Sequence, residues 1–127
     1  MRPDIEVMVK SLVAVAWADG LMHREESAVL EALATAFALD AGDAAELRDY
    51  ARTPRTLADV QLPLLLDVDR RSLLQHALLL THADGQQTDS ELIVIHELAR
   101  RLEIPSDETQ EIIAAADRRA KRARSLR

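Results

Sequence analysis

The chain has no cysteine, three glycines, four prolines and only three aromatic residues, Trp17, Phe37 and Tyr50, among its 127 residues. Without cysteine there is no disulfide scaffold, thiolate metal site, iron–sulfur cluster or cysteine nucleophile. So little glycine and proline leaves few tight turns, which excludes an all-β sandwich or barrel. The longest clean apolar run, Leu12 to Ala18, ends at Asp19, far short of the roughly 18 residues a membrane helix needs. The opening Met1-Arg2-Pro3-Asp4-Ile5-Glu6 has acids where a signal peptide needs bases and an apolar stretch. These absences lead us to expect a soluble, cytoplasmic chain.

What remains is a 48% hydrophobic, 30% charged sequence whose core must be built from Leu, Val, Ile and Ala. Its Ala, Leu, Glu and Arg favour helix, and its length fits one domain with a real core. Charge is uneven. The last ten residues, 118–127, carry six bases and no acid, while residues 1–117 hold 10 bases and 22 acids, a net of −12. An acidic body repels a phosphate backbone, so no nucleic-acid partner is expected. The basic tail reads as a solvated helix end, where cations also complement the helix dipole.

The most informative feature is an internal repeat. Residues 16–26 read Ala-Trp-Ala-Asp-Gly-Leu-Met-His-Arg-Glu-Glu, and residues 81–91 read Thr-His-Ala-Asp-Gly-Gln-Gln-Thr-Asp-Ser-Glu. Asp19, Gly20 and Glu26 recur as Asp84, Gly85 and Glu91, always 65 residues later. An apolar helical stretch precedes each motif. Another follows it, with Val29, Leu30, Leu33 and Phe37 or Leu92, Ile95, Leu98 and Leu102 at helical spacing. Each half therefore reads as a helix–loop–helix hairpin. Gly20 and Gly85 suit the left-handed position that stops the first helix. Thr88 to Glu91 forms a capping box for the second, with His23 as a weaker cap in the first half.

The spacing predicts helices from about Asp4 to Ala18, Arg24 to Leu39, Asp43 to Arg52, Asp69 to Ala83, Asp89 to Glu103 and Asp107 to Ala123, the last capped by Ser106. A short, broken helix is expected from Thr56, because Pro63 interrupts the apolar run Leu62 to Leu65. The total is six or seven helices and no sheet.

Two Ala-Asp-Gly-x5-Glu hairpins in an acidic, all-helical chain of this length resemble the TerB-like domains, named for tellurite-resistance proteins and found also at the N-terminus of a membrane-anchored DnaJ-type co-chaperone. The resemblance spans about residues 5 to 115. It implies an all-α bundle of two pseudo-symmetric hairpins and a stress-associated role, with a possible protein partner in a membrane-associated complex. It also implies a divalent-metal site formed by Asp19, Glu26, Asp84 and Glu91. The sequence departs from the family pattern at Gln87, where an apolar residue is usual, and at His23, where a small hydroxyl or an acid is.

Chemistry supports such a site on one condition. Ca²⁺, Mg²⁺ and Mn²⁺ require several carboxylate oxygens, and each tight loop brings its Asp near its Glu. If the loops meet, four carboxylates converge and a cation relieves their repulsion. The competing reading is structural, since Asp-Gly is a common turn and a first-turn Glu a common cap. The loops are not EF-hands: Leu21 and His23, or Gln86 and Thr88, stand where that loop needs oxygen ligands. His82 and His23 flank the loops as candidate ligands or supports, while His96 reads as a packed or boundary residue. No nucleophile–base arrangement and no glycine-rich phosphate loop is present, so no enzymatic activity is expected. The alternative to a metal-binding stress protein is a helical interaction module whose acids are structural.

Overall fold

The computed structural model describes residues 1–18, 20–60, 65–81 and 89–125. Among them the chain is all helical, with six α-helices, one 3₁₀ turn and no strand. The helices are α1 (Pro3–Ala18), α2 (Leu21–Ala36), α3 (Ala41–Ala51), α4 (Asp67–Thr81), α5 (Asp89–Arg101) and α6 (Ser106–Ser125), with the 3₁₀ turn at Leu57–Asp59. No helix among the described residues is long and apolar enough to cross a membrane.

The chain divides into two compact units, Met1–Leu65 and Leu66–Arg127. In the first, α1 packs on α2, α3 and the 3₁₀ turn. It is buried nearly all round, from Val7 to Val9 and from Ser11 to Ala16. Such a helix needs its polar groups satisfied internally, and the Ser11 hydroxyl donates to the Val7 carbonyl at 2.7 Å. Trp17 ties α1 to the end of α3 by donating from its indole N–H to the Ala51 carbonyl at 3.2 Å. Asp40 caps α3, its carboxylate accepting from the Asp43 amide at 2.8 Å. Ahead of the 3₁₀ turn, the Asp59 carboxylate accepts from the Thr56 amide at 2.8 Å. This turn stands where the short helix expected from Thr56 would start; residues 61–64, with Pro63, lie outside the described residues.

The second unit has the same wiring: α4 packs on α5 and α6, and α5 on α6. Its core is Leu73, Leu74, Ala77 and Leu78 from α4 with Ile95, Leu98 and Leu102 from the α5 stripe, none more than 1% exposed. Unlike α1, α4 keeps an outward face, on which Leu79 is 64% exposed.

The repeat therefore spans three helices per unit. Helix α2 ends at Ala36 and α5 at Arg101; α3 starts at Ala41 and α6 at Ser106. Both pairs are 65 residues apart. The links between them repeat bond for bond. The Ala38 amide donates to Thr35 (3.2 Å) and Leu39 to Ala34 (2.9 Å), while Glu103 donates to Arg100 and Ile104 to Ala99 (both 3.1 Å). Among the described residues, Ala38 (φ 51°) and Glu103 (φ 59°) are the non-glycine residues with positive φ. Each unit thus closes its second helix with the same Schellman motif.

The hairpin loops agree with expectation where they are described. Gly20 is left-handed at φ 79°, and a Cβ there would approach the Arg24 guanidinium to 3.2 Å. The capping box of Thr88 and the turn at Gly85 lie outside the described residues. Helix α2 departs from the expected start at Arg24. It begins at Leu21, but Glu25 breaks the helical backbone (φ −140°, ψ 41°), so a single turn precedes the regular helix. His23 falls inside that turn instead of capping it, exposed to solvent, with its ring edge-on to Trp17 at 5.1 Å. His96 is exposed rather than packed. The α5 stripe is centred on Ile95, Leu98 and Leu102, and Leu92, which suggested an inward His96, sits only at its margin.

Candidate functional site

Of the four acids singled out in the sequence, Asp19 and Asp84 lie outside the described residues. The other two differ from each other. Glu26, just past the break in α2, is exposed to solvent. Glu91, in the first turn of α5, is 3% exposed. His82 is outside the described residues, and His23 is occupied with Trp17. Among the described residues, no group of three or more His, Asp or Glu side chains is placed to hold a metal ion.

The second carboxylate shared by the two units is structural. Asp43 in the first turn of α3 accepts from the Met1 amino group at 3.2 Å, raising that group's pKa by hydrogen bonding and charge. Its counterpart in α6, Glu108, receives the Arg71 guanidinium in a two-pronged pair, Nη2 to Oε2 at 3.1 Å. In both units a cation near the start of the first helix is pinned to the third helix.

A groove of about 900 Å³ lies between α2 and α3 in the first unit. Its floor is Leu30 and Ala34, and the Schellman residues Ala38 and Leu39 close one end. Glu26, Ser27, Glu31 and Thr35 line the α2 wall; Arg48 and Arg52 line the α3 wall. The α2 positions 26, 30 and 34 step by four, so the groove follows one helix face for about 12 Å, a little over two turns. Neither acid forms an ion pair with an arginine across the gap. Arg52 pairs instead along its own helix with Asp49 at 3.3 Å, an exposed pair worth little. Acids on one wall thus face bases on the other over an apolar floor.

The second unit buries the matching floor positions more deeply. Leu30, 9% exposed, corresponds to Ile95 at 0%; half-buried Ala34 corresponds to Ala99 at 3%; exposed Glu26 corresponds to Glu91 at 3%. Exposed Arg48 is replaced by half-buried Ile113. An aliphatic side chain here fills space, whereas a guanidinium seeks water. The sequence held the signal, since Arg48 and Arg52 stand four apart on α3, but without the third-helix correspondence they read as a solvated face.

At the same C-terminal end of α3, the Tyr50 ring has Lys10 and the Arg55 guanidinium 5.0 and 4.1 Å from its centre. Burial raises the Tyr50 pKa, against the pull of Arg55, so the phenol stays protonated and serves packing. Comparison of the chain with family models, with curated proteins and with solved structures finds no match.

Proposed function

We propose that this chain is a non-catalytic helical docking module whose binding surface is the α2–α3 groove. The observation that carries the reading is the contrast between units. On one repeated scaffold, Ala34 and Glu26 lie open between charged walls in the first copy, whereas their counterparts Ala99 and Glu91 are buried in the second. The topology is shared, so the difference lies in the side chains. The test is affinity capture of partners from cells expressing the wild type or Ala34→Gln, which sets an amide in the groove floor. A partner recovered with the wild type and lost with a folded variant is the expected result; equal recovery refutes the reading.

A second reading is favoured by Glu91. The resemblance to TerB-like domains supports a stress-associated protein holding a divalent cation through Asp19, Glu26, Asp84 and Glu91. A carboxylate drawn to 3% exposure at the end of one motif suits a ligand set better than a solvated acid does. Thermal unfolding with EDTA against added Ca²⁺, Mg²⁺ or Mn²⁺ tests it. A cation that binds only the folded chain stabilises it by about 2.7 kcal/mol at a hundredfold excess over Kd. Asp19→Asn and Asp84→Asn should then weaken that effect alike, and together little more than singly. An unchanged melting temperature with all three cations refutes it.

A further inference from the structure

We infer that the occupant of the α2–α3 groove is a single amphipathic helix of a partner protein, carrying acids along one edge of its apolar stripe and bases along the other. The inference rests on the docking reading and adds the chemistry of the partner. Length comes first. The stripe from Glu26 to Ala34 on α2 runs for about 12 Å, which matches about eight residues of helix. A helix in such a groove anchors through residues spaced i, i+4 and i+7, and Leu30 and Ala34 offer it an apolar floor.

Charge then selects among helices. Glu26 and Glu31 on one wall and Arg48 on the other make no ion pair with any described residue. A helix seated on the floor brings its two edges against these walls. With one acidic and one basic edge it satisfies both. A helix with two acidic edges meets Glu26 and Glu31, and one with two basic edges meets Arg48 and Arg52. Like charges brought together at a docked surface are the usual means of rejecting wrong partners. The basic end of α6 on a second copy, which carries Arg118, Arg119, Lys121 and Arg122, is of the rejected kind.

The experiment uses the full chain and three labelled synthetic helical peptides of fourteen residues, read by fluorescence anisotropy. All carry leucine at three positions spaced i, i+4 and i+7. One has a glutamate edge and a lysine edge, one has two glutamate edges, and one has two lysine edges. The comparison holds whichever way the peptide runs along the groove. The mixed peptide should bind at least tenfold more tightly than either other at low salt, with the gap narrowing as salt screens the walls. Arg48→Glu combined with Arg52→Glu should move the preference to the two-lysine peptide, an inversion that loss of folding would not produce. Equal binding of the three peptides, or a preference for edges of one sign, overturns the inference. The docking reading survives that result if Ala34→Gln, or Ser27→Tyr on the exposed wall, still abolishes binding. If no peptide binds, or both groove variants bind as the wild type does, both fall. A concentration-dependent dimer in sedimentation that these variants dissolve overturns the inference in favour of a second copy.

Discussion

Two residues, Ala38 and Glu103, hold the left-handed conformation that closes α2 and α5, and neither is glycine. A Cβ there costs about 1–2 kcal/mol, part of which the greater freedom of unfolded glycine would offset. Ala38→Gly and Glu103→Gly should each stabilise the chain by about 0.5–1 kcal/mol, read as a higher denaturant midpoint. Leu98, fully buried, should show the opposite: Leu98→Ala is expected to cost about 2–5 kcal/mol in the same titration. Glu97 supplies a pH dependence. Hydrogen bonds from Arg100 and then Arg101 hold its carboxyl below the ordinary glutamate value of 4.5. Its stabilising contribution is complete above that value and is lost as pH falls through the lowered one. Glu97→Gln should therefore lower stability slightly at neutral pH and leave it unchanged well below about pH 4.5, so that the acid limb of the stability-against-pH curve flattens. The apolar stripe of α5 was legible residue by residue from its spacing, and the position of His96 was not. Periodicity assigns a face to within about one residue, and His96 lies one residue from Ile95, at the edge where that uncertainty decides burial.

At the scale of elements, with the second bend outside the described residues, the first hairpin was legible because its turn needs a left-handed residue, and Gly20 holds φ 79°. The third helix of each repeat was not. Helices α3 and α6 share their starting point and the bond into it, Ala44 to Asp40 and Thr109 to Pro105, both 2.9 Å. They share few side chains and differ in length, 11 residues against 20. Backbone geometry survives substitutions that erase sequence likeness, since a Schellman closure specifies a conformation and not a residue. The early turn of α2 was hidden for another reason. Leu21 and Met22 fill the core, and burial outweighs the missing cap, while the break at Glu25 restores a helix start close to the one expected. The cap at Asp40 is the element-level test. Asp40→Ala should cost about 0.5–2 kcal/mol, and Asp40→Asn, which keeps an acceptor, much less. Equal losses from the two would remove the cap from the account of α3.

Over the whole molecule the units differ in charge as well as in shape. The first carries 11 acids and 6 bases, the second 11 and 10. Self-repulsion in an acidic chain is screened by salt, so the melting temperature should rise modestly as sodium chloride is raised from low concentration. A fall would place the dominant electrostatics in attractive pairs such as Arg71–Glu108. The open face of the first unit has a further consequence, for local motion. Backbone hydrogen bonds under a packed cover exchange their protons only on larger openings, and those beside a solvent-filled trough exchange on small ones. Matched amides in the two units, those of Leu30 and Ile95 or of Ala34 and Ala99, sit in the same helical register under different cover. In native-state hydrogen exchange the α2 member of each pair should lose protection first. The chain would then hold a rigid copy and a yielding copy of one architecture, with ligand recognition falling to the copy that yields.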